Sequence, residues 1–71
     1  MPDAKKIRDA INQKGLRIGY VAAELGITRQ AFSLKMRGVT EFRVSEIQKL
    51  SALLGLSAAD RESIFFEHKR E

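Results

Sequence analysis

Four glycines, Gly15, Gly26, Gly38 and Gly55, cut this chain into short stretches, and each stretch carries one set of apolar side chains at helical spacing. Helices this short gain most of their stability from packing, so they must bury those stripes against one another. Asp3 can cap a first helix, about residues 4 to 14, whose apolar positions are Ala4, Ile7 and Ile11; Gly15 and then Leu16 supply a stop with its hydrophobic contact. Ile18, Val21, Ala22 and Leu25 predict a second helix over 18–25, ended by Gly26. Thr28 can cap a third, Arg29 to Arg37, with Phe32 and Met36 facing inward and Gly38 closing it. The segment from Gly38 to Val44 has no clear period and reads as a loop anchored by Phe42.

Ser45 and Gln48 have the spacing of a capping box and open a helix over about 46–54, striped by Ile47, Leu50, Leu53 and Leu54 and stopped at Gly55. Ser57 caps a fifth over about 58–66, although the last residues can instead extend. No alternating strand, repeat or linker is evident. The expected fold is all-α: a compact bundle of about five short helices in one domain spanning residues 1–71.

Composition narrows the function. The chain has 71 residues and no cysteine, so neither a disulfide nor a thiolate metal site supports it. The apolar runs are too short for a spanning helix and no apolar block follows the charged start, so a membrane or secretory destination is not expected and a cytoplasmic one is. The net charge of +4 favours polyanionic partners, and its distribution is uneven. Residues 17 to 43 carry Arg17, Arg29, Lys35, Arg37 and Arg43 against two acidic groups, whereas 44 to 71 carry four basic and five acidic side chains. A charged surface that only keeps a small domain soluble is the plain alternative.

The functional signal lies where the second and third helices meet across Gly26, Ile27 and Thr28. Two helices crossing there need a small residue at the close approach, a left-handed turn and an apolar plug. Ala22, Gly26 and Ile27 meet those demands, and Phe32, ten residues after Ala22, anchors the third helix. Each alone is an ordinary core residue; the joint pattern Val21-Ala22-x-x-Leu25-Gly26-Ile27-Thr28-x-x-x-Phe32 is much less frequent by chance.

With that pattern, residues 17 to 56 resemble the Cro and CI class of helix-turn-helix proteins, the XRE family, and the helix ending Leu53-x-Gly55-Leu56 extends the likeness. The short length, the Gly-Ile-Thr-Arg-Gln turn and the terminal Ile64-Phe65-Phe66 resemble short Cro-like regulators of phages and integrated elements. The resemblance implies a homodimer on a two-fold related double-stranded operator, repressing or sometimes activating nearby promoters. Two departures stand out. Many members open the second helix with a glutamine that touches a phosphate, and here the place is Ile18, so that contact moves to Arg17, Tyr20 or free amides. Many also carry the apolar residue of the third helix's last turn one place earlier, where this chain has Lys35 and then Met36, leaving that register open.

With Phe32 as the inward reference and about 100° per residue, the opposite face of the third helix holds Gln30, Ser33, Leu34 and Arg37, and Arg29 projects from the first turn. Arg29, Gln30, Ser33 and Leu34 are the candidates for base edges, since Gln suits adenine, Arg guanine and an apolar group the thymine methyl. Arg17, Tyr20, Thr28, Lys35, Arg37, Thr40 and Arg43 are suited to phosphates, which fix register without reading sequence. The plain alternative for each is a solvated surface. Ile64, Phe65 and Phe66 are the candidate dimer interface, because three consecutive apolar residues cannot all face one narrow helical stripe. The competing arrangement folds both rings back to close the core.

No catalytic or metal constellation appears: the one histidine, His68, sits in a charged tail, and no Gly-rich phosphate loop precedes a helix. No cofactor or small-molecule ligand is implied. The main rival is an antitoxin or other protein-binding module on the same scaffold, whose partner-wrapping tail the five residues after Phe66 are too few to supply. RNA binding is weaker, for want of an aromatic stacking platform.

Overall fold

The structure, a computed structural model, describes residues 2–66. They form five helices in chain order: α1 Ala4–Gln13, α2 Ile18–Glu24, α3 Arg29–Met36, α4 Val44–Leu54 and α5 Ala58–Arg61, and α5 runs on into a π-helical turn, Glu62–Phe66. No strand occurs among the described residues, and the fold is all-helical as the sequence predicts. No helix among them is long and apolar enough to cross a membrane. His68 and the rest of 67–71 lie outside the described residues.

The predicted stripes are the core. Ile7 and Ile11 from α1, Val21 and Ala22 from α2 with Leu25 after it, Phe32 and Met36 from α3, and Ile47, Leu50 and Leu54 from α4 form one buried cluster with Ile64 and Phe65. Leu16, Ile18, Ile27, Phe42, Leu53 and Leu56 pack around its edge. Met36 is buried and Lys35 is not part of the cluster, which settles the register of α3's last turn. Asp3, Thr28 and Ser57 each accept a hydrogen bond from the amide three residues on, as their types dictate at a helix start.

Two elements depart from the sequence reading. α4 begins at Val44, not 46, and its cap is not the Ser45–Gln48 pair. The N-cap is Arg43, whose backbone amide donates to Glu46 Oε1 at 2.8 Å. Glutamate holds a charged acceptor against helix-end donors and so outcompetes the neutral hydroxyl one turn position later.

At the other end the helix predicted over 58–66 is α-helical only to Arg61. The wider π-turn lets two consecutive residues, Ile64 and Phe65, both enter the core, while Phe66 remains 48% exposed. Ile64 and Phe65 are therefore core residues, and of the three residues assigned to a dimer interface only Phe66 presents an exposed ring. The Phe65 ring meets Phe42 edge-on at 5.3 Å and Phe42 meets Phe32 at 6.0 Å, so the loop before α4 is anchored from both sides. The Asp3 amide donates to the Ile64 carbonyl at 2.8 Å, tying the start of α1 to this turn.

Candidate nucleic-acid interface

The α2–α3 pair is held by a turn whose geometry follows from its residues. Gly26 has φ of 77°, a left-handed conformation that costs glycine nothing, and the Ile27 amide returns to the Ala22 carbonyl at 3.0 Å. That closure satisfies a carbonyl at the end of α2 and drives the half-buried Ile27 side chain against the core. The buried, small Ala22 lets the two helices approach. Thr28 Oγ1 then accepts from the Ala31 amide at 3.0 Å, leaving its hydroxyl proton free to donate outward.

Along α3, Arg29, Gln30 and Arg37 are exposed, while Ser33 and Leu34 are half-buried. The helical wheel puts Leu34 opposite the buried face, and the structure leaves it half-buried, while the chain after Gly38 turns back to close the end of α3. The amides of Val39 and Thr40 both point at the Leu34 carbonyl, at 2.9 and 3.5 Å. No acidic residue lies on α3. Around it, Arg17 is the N-cap of α2, Arg37 the C-cap of α3 and Arg43 the N-cap of α4, all exposed, with Thr40 exposed and Tyr20 48% exposed. Arg17, Arg29, Arg37 and Arg43 are in no ion pair among the described residues.

Lys35 is placed differently. Its ammonium lies 3.1 Å from Glu46 Oε1 and donates to the Glu41 carbonyl at 3.0 Å, with only 13% of its side chain exposed. Assigned to a phosphate by its place on the helix, it instead ties α3 to α4 across the loop. Burial pushes the Glu46 carboxyl up, but the Arg43 amide and the Lys35 ammonium together hold it below the usual carboxylate range. Glu46 thus serves two joints at once: it caps α4 and pins α3.

A shallow cleft lined by Leu25, Gly26, Ile27, Lys35, Arg43, Ser45, Glu46 and Lys49, three cations against one acid, brings the α2–α3 turn beside the start of α4. Lys49 was not among the residues singled out from sequence. The available signal was its place on the exposed side of α4, one turn beyond Glu46, which becomes meaningful only once α4 is known to face the turn. The arrangement is a polar and basic surface, with a short exposed helix face between cationic edges, suited to a ridged polyanion. No protein-family model matches the chain, and no curated protein is similar enough to it to count as a relative.

Proposed function

We propose that this chain is a sequence-specific double-stranded DNA-binding transcriptional regulator, a Cro-like repressor of the Cro and CI helix-turn-helix class that acts in the cytoplasm as a dimer on a palindromic operator. The observation that carries the reading is the α2–α3 unit: two short helices on a left-handed Gly26 turn, with an acid-free α3 between arginines that are in no ion pair among the described residues. In such a unit the second helix enters the major groove and its first residues meet base edges. Gln30 is the residue best suited to read a base, adenine by its paired donor and acceptor, with Ser33 and Leu34 beside it. Arg17, Arg37 and Arg43 hold phosphates and set the register.

A single small domain reads too few base pairs to find one site among many, so two copies are needed, with half-sites about 34 Å apart. Phe66, half-exposed where the C-terminal turn meets the loop over 38–42, supplies an apolar contact for a weak pairing that strengthens on DNA. Selection from randomised duplexes tests the proposal. Wild type is expected to enrich a two-fold related sequence, and Gln30→Ala to relax one or two positions of each half-site, costing roughly 1 to 3 kcal/mol on the selected duplex and little on random DNA. A wild-type pool without any enriched sequence would overturn the reading.

A further inference from the structure

Four of the five glycines have φ between 67 and 81°, where glycine is required; Gly19, in the first turn of α2, does not. Glycine is a poor helix former, so its place there carries a local cost that the backbone does not explain. The space beside it does. A Cβ on Gly19 would lie 3.3 Å from Arg29 Cδ, 3.6 Å from Cγ and 3.8 Å from Nε. The Arg29 side chain leaves the start of α3 and runs back across α2 in the room the missing Cβ provides.

We propose that Gly19 is a positioning residue that seats Arg29 over α2 and directs it to the DNA backbone, so that Arg29 contacts a phosphate and does not read a base. This rests on the DNA-binding reading above. In a paired-helix reader the second helix occupies the groove and the first crosses the sugar-phosphate backbone. A side chain that starts on the second helix and lies along the first is carried away from the base edges toward that backbone. The first turn of α2, where Gly19 lies, has no acidic residue and its N-cap is another cation, Arg17; the one acid of the helix, Glu24, stands at its far end, in a cleft with Lys49, Ala52 and Leu53. Arg29 is in no ion pair among the described residues, which leaves its guanidinium available to an external anion, and the planar fork suits a phosphate. The seat also removes rotamer freedom before binding, so less is lost on contact. Gln30, Ser33 and Leu34 remain as the base-reading set.

The test compares wild type, Gly19→Leu, Arg29→Ala and the double variant, on the duplex that wild type selects and on random duplex, across a salt series, with thermal melts of each. Arg29→Ala is expected to weaken both duplexes by a similar factor, about tenfold. It should also reduce the log-log salt slope by about 0.9 and leave the selected sequence unchanged. Gly19→Leu should reproduce most of that loss when Arg29 is present and lose under about twofold when it is already alanine, because the two act as one unit. Gly19→Ala, which displaces Arg29 by only a few tenths of an ångström, gives the same coupling in weaker form and keeps the comparison usable if leucine lowers the melting temperature. A changed base preference in Arg29→Ala, or equal losses from the Gly19 substitutions in both backgrounds, overturns the proposal while wild-type selection stands. A wild type that selects no duplex overturns the DNA-binding reading and this proposal with it.

Discussion

α3 and the C-terminal turn each send one aromatic ring to the same place, yet they reach it by different backbones. Phe32 and Phe65 both meet Phe42 edge-on. In α3 the inward residues Phe32 and Met36 are four apart, which suits the α-helix, and the helix is regular throughout. In the turn the inward residues Ile64 and Phe65 are neighbours, which an α-helix splays by about 100°, and the backbone widens to a π-turn to bring both inside. Where the apolar spacing agrees with the helix period, local rules decide the backbone. Where it does not, the core decides, and the helix yields.

The largest effect that can break this comparison is loss of a ring on each side. Phe32 is fully buried, so Phe32→Ala should cost about 4 kcal/mol, and Phe65→Ala about 3 kcal/mol, since a small part of it stays exposed. Phe66→Ala should cost under about 1 kcal/mol in the monomer, because its ring is half in solvent already. Urea unfolding checks all three. If Phe65→Ala is as mild as Phe66→Ala, the turn is an appendage of the core and not a part of it.

A middle-sized effect sharpens the contrast, since α3 is clamped by a charged pair, whereas the C-terminal turn is tied to α1 by the Asp3 amide on the Ile64 carbonyl and the Lys6 ammonium on the Ser63 hydroxyl. Glu46→Ala removes the α4 cap and strands the Lys35 ammonium, and should cost about 1 to 3 kcal/mol. Because the Glu46 carboxyl titrates below its ordinary range when folded, its contribution is fully present above the unfolded glutamate value, about 4.3, and is lost as pH falls through the lower folded value. Hydrogen exchange in that acid window should show α3 and the start of α4 loosening before the ring-packed turn at 62–66. Simultaneous loosening of both regions at every acid pH would show that the clamp adds nothing to the packing.

The smallest effect concerns a polar atom that neither region uses. Ser51 on α4 is 5% exposed and its hydroxyl has no hydrogen-bond partner among the described residues. Ser51→Ala removes an unsatisfied group and adds helix propensity, so the protein should gain up to about 1 kcal/mol. A measured loss of stability in a melt would mean that the hydroxyl has a solvent or backbone partner after all.

The first three helices were legible almost residue by residue, because Asp3 caps α1 and Thr28 caps α3, glycines close all three and their apolar sets keep one period. The start of α4 was not. Ser45–Gln48 and Arg43–Glu46 share the same spacing, and the choice between them was made by Lys35, a residue on another helix that already holds the Glu46 carboxylate. The same contact hid the role of Lys35: a helical wheel shows where a side chain leaves the axis, not where a long flexible stem ends. The closure of α3, where the Val39 and Thr40 amides turn back to the Leu34 carbonyl, has no periodic signal in the sequence either. Gly19 was passed over for a similar reason, since the side chain that gives it meaning starts ten residues later, on α3.

By itself, then, the sequence determined the helical class, the stripes that make the core and the Gly26 turn that joins α2 to α3, all consequences of backbone preference and period within a few residues. Only the tertiary structure decided which of Ile64, Phe65 and Phe66 stays outside, which acid caps α4 and that Lys35 is taken up by Glu46. Those outcomes depend on neighbours remote in sequence, and each turns on competition for a shared space or a shared charge that only the packed chain brings together.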